Sequence, residues 1–195
     1  MLQDNYYVIE SENNDQYPMF SWDQANDDFG IGVPAIGSGS VMFRLGEPIP
    51  PKAEWVDYHV APSPVISSLI ADVLAPKDIY GVQLIPAVVR NPRDPFGEIR
   101  DYWFMHVWNR ISCLDKQKSV VEYFKDGNIF SIDELVLDDG VLSKIELSKR
   151  LVFELSEKNS VLLVHESIKN LILSVSPRGC RFFKISDWNS DCTFE

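Results

Sequence analysis

Residues 101–109, DYWFMHVWN, constrain this chain more than any other stretch. On an extended backbone Tyr102, Phe104, His106 and Trp108 share one face, while Trp103, Met105 and Val107 share the other. Both faces are apolar. A strand with one solvated face alternates apolar with polar residues, so this segment reads as a central strand covered on both sides. Rings of this size dominate the energetics of any core they enter, and the rest of the chain has to bury them twice over.

The other signals are short strands and two amphipathic helices. Residues 5–10 (NYYVIE) form a strand signal, and Met19, Phe20 and Trp22 suggest a second brief strand or an anchoring contact. Residues 30–40 are rich in glycine and lead into the apolar run 41–45. A phosphate-binding loop follows a strand and opens a helix. Here the glycines precede a strand and no Gly-Lys-Ser/Thr follows, so the stretch reads as a flexible loop. Pro48, Pro50 and Pro51 then make a stiff connector.

Over residues 63–75 the pattern predicts a helix: Ser63 as cap, Pro64 at the first helical position, Pro76 as stop. Val65, Ile66, Leu69, Ile70, Val73 and Leu74 keep the helical period. Gly81 opens a strand over residues 81–89, in which Pro86 predicts an edge or a bulge. The turn-rich residues 91–100 join it to the aromatic strand as a long hairpin. Strands follow over 119–124 and 129–137, separated by the Gly127-Asn128 turn signal, and over 151–155 and 161–164. Residues 138–145 read as a short helix or helical turn. A second principal helix places Ile168, Leu171, Ile172 and Val175 on one face; Pro177 and Gly179 end it, and a last strand covers 180–185. The spacing Ile66, Leu69, Ile70, Val73 returns 102 residues later in that helix, and each time a proline, a glycine and a strand follow.

These elements predict an α+β fold: a mixed, mostly antiparallel sheet with two principal amphipathic helices packed on it, plus an acidic N-terminal extension. At 195 residues the chain suits a single domain, and the proline connector allows an N-terminal subdomain of residues 1–50 before a core of 51–195. A domain of this size buries roughly 70 % of its unfolded surface and needs no staple. Cys113, Cys180 and Cys192 are odd in number and lack metal-ligand spacing, which predicts free thiols in a reducing compartment, with Cys192 near enough to the terminus to be exposed. The amino terminus lacks a basic region followed by an apolar run, and no apolar stretch approaches the ~20 residues that span a bilayer. The expected location is cytoplasmic.

Charge is distributed unevenly. Residues 1–43 hold Asp4, Glu10, Glu12, Asp15, Asp23, Asp27 and Asp28 and no Lys or Arg, whereas the remainder carries 22 acidic against 18 basic residues. Such a lobe repels nucleic acid and anionic lipid, and it speeds encounter with a basic protein. Trp22, Asp23, Asp27 and Asp28 are therefore the expected partner-binding residues.

Catalytic chemistry finds little support. His59, His106 and His165 do not pair with one another, with Cys or with Glu at metal-ligand spacing, so neither metal nor cofactor is expected. His106 reads as a core imidazole bonded to backbone in preference to a general base. His165, Glu166 and Ser167 are adjacent, and neighbours in sequence seldom face one another as a triad requires. The acid pairs Asp27-Asp28, Asp133-Glu134 and Asp138-Asp139 read as solvated loops or helix starts, the last of them before a helix. No catalytic residue is assigned. The alternative is a hydrolase that uses a carboxylate or His106 in a cleft.

A resemblance adds to this reading. The segments SPVISSLIADVLA (63–75), GVQLIPAVV (81–89), DYWFMHVWN followed by CLD and Ser119, RLVFEL (150–155), and Gly179 with Phe182-Phe183 occur in an order that resembles a bacterial family of immunity proteins of polymorphic toxin systems, immunity protein eleven. The likeness runs over residues 50–188 and rests on dispersed apolar, Gly, Cys-Leu-Asp and Ser positions, not on a catalytic motif. It implies a cytoplasmic protein that is not an enzyme and that binds and occludes a cognate toxin domain.

Overall fold

A computed structural model describes the chain apart from Asp27, Ser38, Pro95, Glu98 and Glu195 and the side chains of Thr193 and Phe194. In chain order the strands among the described residues are β1 (Tyr6–Ser11), β2 (Phe20–Trp22), β3 (Val41–Leu45), β4 (Tyr58–His59), β5 (Val65–Ile66), β6 (Val82–Arg90), β7 (Ile99–Val107), β8 (Arg110–Ile111), β9 (Val120–Tyr123), β10 (Ile129–Glu134), β11 (Val152–Leu155), β12 (Lys158–His165) and β13 (Cys180–Lys184). The α-helices are α1 (Ser68–Leu74), α2 (Asp139–Leu142) and α3 (Glu166–Leu173). The fold is α+β, as expected, but the strands divide between two sheets and a hairpin. One sheet has the order β2-β3-β6-β7-β5-β4, the other β13-β1-β12-β11-β8, and β9 pairs with β10. Parallel pairing joins β3 to β6 and β8 to β11; the other ladders are antiparallel.

β7 is the doubly covered strand that its rings require. It lies between β6 and β5. Tyr102 and Phe104 pack with Phe20, Phe43, Val41 and Val89, while Met105 and Val107 face a second cluster with Ile70, Leu74, Ile168 and Ile172. Trp108 lies past the strand end and meets Tyr80 edge-on instead of sharing the Phe104 face. The β6–β7 hairpin runs in unbroken register from Val82↔Val107 to Arg90↔Ile99. Pro86 lacks an N–H and sits one residue before β3 joins the other side of β6 at Ala87, so no ladder bond is lost there.

The first helix departs from its predicted start. Val65 and Ile66 are strand, paired with Phe104 and Trp103, and α1 begins only at Ser68 with Ser67 as its N-cap. Both residues are β-branched, and burying them on β7 outweighs a helical period that Ser63 and Pro64 were read as opening. Ile70, Ala71 and Leu74 of α1 pack beside Ile168 and Ile172 of α3.

The repeated spacing has a topological counterpart. β5 and β6, joined through α1, flank antiparallel β7; β12 and β13, joined through α3, flank antiparallel β1. The residues do not correspond one for one, since Ile66 is in a strand and Ile168 is in a helix. Gly81 and Gly179 follow the two helices with φ of 80° and 85°. At Gly179 a Cβ would lie 2.6 Å from Val56, so this turn needs glycine on both counts.

Asp138 caps α2 by accepting from Gly140 N at 2.7 Å and Val141 N at 3.2 Å. His165 caps α3, accepting from Ser167 N, so the His-Glu-Ser triplet is a helix start. The three cysteines are free, and burial pushes the Cys113 thiol up to about 12. Cys192 is buried, not exposed: it packs with Trp188 and Ile185 under the five-stranded sheet.

Candidate functional site

Where both sheets approach the β9–β10 hairpin, the chain leaves a cleft of about 770 Å³, within the size range of ligand sites. β7 contributes Phe104 and His106, the other sheet contributes Glu154 and Leu162, and Trp22, Phe29 and Ile31 form a further wall. Trp22 stacks on Phe29 at 5.6 Å and 13° and meets Phe104 edge-on at 5.4 Å. These ring contacts hold the segment after β2 against the central strand.

The four residues expected to bind a partner are not all alike in position. Trp22 lines the cleft. Asp23 is ion-paired with Arg90 and its own N–H donates to the Met42 carbonyl at 2.9 Å. The Arg90 guanidinium holds the Asp23 carboxyl below its ordinary range. Asp28 is exposed beside Phe29, and Asp27 lies outside the described residues.

His106 is 7 % exposed and its Nε2 lies 2.9 Å from the Val33 carbonyl oxygen. That contact, with Ala35 N donating to Gln83 Oε1 at 2.7 Å and Gln83 Nε2 donating to the Ala35 carbonyl at 3.4 Å, fastens the glycine-rich segment across β6 and β7. His106 thus lines the cleft while its ring serves a structural bond, as the backbone-bonded reading expects. His59 stacks on Phe20 at 3.8 Å, and burial lowers its pKa from 6.5 to about 4.

Sequence reasoning missed the acids of the cleft. Glu10 is 4 % exposed and accepts from Trp188 Nε1 at 3.0 Å. Glu154, on β11, has its carboxyl raised to about 7, because burial disfavours the charge more than Arg110, 3.9 Å away, restores it. A signal existed in both cases: each acid interrupts an otherwise apolar strand run, YYVIES and VFEL. An acid at such a position is buried or borders a cavity.

Among the described residues no group of three or more His, Cys, Asp or Glu is placed to hold a metal ion. Among the same residues no helix is long and apolar enough to cross a membrane. The model of the immunity protein family Imm11 matches residues 42–187, from β3 to the turn after β13. No curated protein matches the chain. Glu154, His106 and the hairpin fall inside the matched stretch, whereas β1, Trp22 and the Phe29–Ile31 wall precede it.

Proposed function

Because the chain belongs to the Imm11 immunity protein family, we propose that it neutralises a cognate bacterial toxin domain by binding it and covering its working surface, without catalysing a reaction itself. The family membership is the observation that carries this reading. Charge supports it: a net charge of −11, with residues 1–43 free of Lys and Arg, favours a basic partner such as a nuclease over nucleic acid or anionic lipid. The setting of the histidines supports it too. His106 is spent on a backbone carbonyl, His165 on a helix cap, and His59 on a ring stack. The hydrolase reading is left with the cleft carboxyls Glu10, Glu154 and Asp191. The protein acts in the cytoplasm, where a toxin would otherwise reach its target.

Co-expression with the toxin-like gene that adjoins this one tests the proposal. Growth should be restored by this chain and not by an unrelated acidic protein of similar size; toxicity that persists despite soluble expression of both partners would sink it. Association kinetics test the acidic lobe separately. Since Asp23 is committed to Arg90, the pair to neutralise is Asp27 and Asp28. D27N/D28N is expected to slow association by about threefold to tenfold at low salt and to flatten its salt dependence, with dissociation little changed. Unaltered association rates would place the toxin contact elsewhere.

A further inference from the structure

The cleft between the sheets has a chemistry of its own. Among the described residues three acids line it, Glu10, Glu154 and Asp191, against the one ammonium of Lys158. Lys158 Nζ donates to the Phe130 carbonyl at 2.9 Å, so this ammonium already serves as the tie between β12 and the hairpin. Glu154 is partly buried without a close charge partner. Its side chain keeps 20 % of its surface exposed, and its charge partner Arg110 stands 3.9 Å off, beyond hydrogen-bond range, with Nη2 of that arginine given to the Ser156 carbonyl at 2.8 Å. Among the described residues no donor lies within hydrogen-bond distance of the Glu154 carboxylate. A half-buried carboxyl in this state gains from an incoming cation, whose charge would offset the burial that disfavours ionisation in the free protein.

The exposed lining of the cleft is mixed, with Asn26, Asn159, Ser160 and Asp191 beside Ile31 and Phe130. Of the apolar lining residues, Ile31 is 64 % exposed and Phe130 is 53 % exposed. From Phe130 the apolar surface continues outward: Phe124 meets it edge-on at 4.9 Å, and Phe124 and Tyr123 are each 53 % exposed. A small ligand would be covered by the cleft and would leave this hairpin surface bare. A protein that inserts one side chain would cover both.

We propose that the cleft receives a lysine or arginine side chain from a protruding segment of the toxin, with Glu154 taking the cation and Ile31, Phe130 and Phe124 packing around its stem. The proposal rests on the immunity reading above and names the site and chemistry of that contact. The long apolar stem of either side chain can pack on Ile31 and Phe130 while its head reaches the acids, and the aromatic wall of Trp22, Phe29 and Phe104 suits a guanidinium or ammonium head. Glu154 accordingly acts in binding, at a position that the family-matched stretch contains.

The test is titration calorimetry of the full chain with the catalytically inactivated product of the adjoining toxin gene, using E154Q, F130A and D191K, with E146Q on the exposed surface away from the cleft as control. E154Q should weaken binding at least tenfold and lessen its salt dependence. F130A and D191K, which alter exposed side chains and leave the core intact, should each weaken it about threefold or more, and E146Q should not change it. If the wild type binds and rescues growth while all three cleft variants bind within twofold of it, the cleft proposal is overturned and the immunity reading stands. If the wild type neither binds nor rescues, the immunity reading falls and the proposal falls with it. Light scattering of the free protein closes the remaining route: a dimer dissociated by F130A would mean that a second copy fills the cleft, which also overturns the proposal.

Discussion

Phe104→Ala is expected to remove about 3–5 kcal/mol of folding stability, the range for truncating a fully buried phenylalanine. Phe104 is 2 % exposed and lies at the meeting point of Trp22, Phe29 and Phe43, with ring centroids 5.0–6.0 Å away. Its backbone pairs with Val65 on one side and Ile85 on the other. The lost ring therefore cannot be refilled by moving one neighbour, since each is pinned by its own strand or by another ring. Chemical denaturation followed by circular dichroism measures the loss. Phe96→Ala is the matched control: that ring is 99 % exposed, and its removal should stay within about 0.5 kcal/mol. Similar losses for the two variants would refute the central place given to β7. The same substitution should loosen the cleft, because Phe104 lines it and holds the Trp22–Phe29 pair in place.

His59 should make the protein sensitive to acid. The residue is 5 % exposed, its Nε2 has no hydrogen-bond partner among the described residues, and burial brings its pKa from 6.5 down to about 4. The folded pKa is depressed, so between these values the unfolded chain binds a proton that the native state refuses. Stability is then lost as pH falls from 6.5 toward 4 and is level on either side of that window. A shift of this size corresponds to about 3 kcal/mol. Glu154 works in the opposite direction: its raised carboxyl pKa takes stability away as pH climbs from 4.5 to about 7. The difference between wild type and His59→Phe isolates the histidine, and phenylalanine keeps the stack on Phe20. That difference should grow by about 3 kcal/mol in favour of the variant between pH 7 and pH 4. Parallel stability curves across the range would show that His59 takes up its proton without opening the core.

Much of the fold was legible along the chain, and particular residues show where legibility ended. The β6–β7 hairpin followed from two apolar runs around a turn-rich segment, although β7 begins at Ile99, within the segment read as a turn, and ends at Val107, before Trp108. The Asp138 cap was read from two acids ahead of an apolar pair. Val65 and Ile66 were misread because their spacing fits a helix as well as a strand, and only the free edge of β7 decides between the two. Glu154 was passed over although it interrupts an apolar strand. Nothing in its neighbourhood along the chain shows that Arg110 would stop 3.9 Å short of it.

By itself the sequence determined that β7 is a strand buried on both faces, that β6 and β7 form a hairpin, how α2 starts, and that the protein is acidic at one end; it also carried a resemblance to the family whose model matches residues 42–187. These are properties of residues within a few positions of one another, where side-chain period, capping and backbone preference act. The tertiary structure alone decided that β1, from the acidic start of the chain, would lie between β12 and β13 from its end, with Tyr6 opposite His165 and Val8 opposite Phe183. It alone decided that the strands would form two sheets and leave a cleft between them, with Glu154 inside. Strand partners and the dielectric around a carboxylate depend on groups far apart in sequence, so no local pattern encodes them.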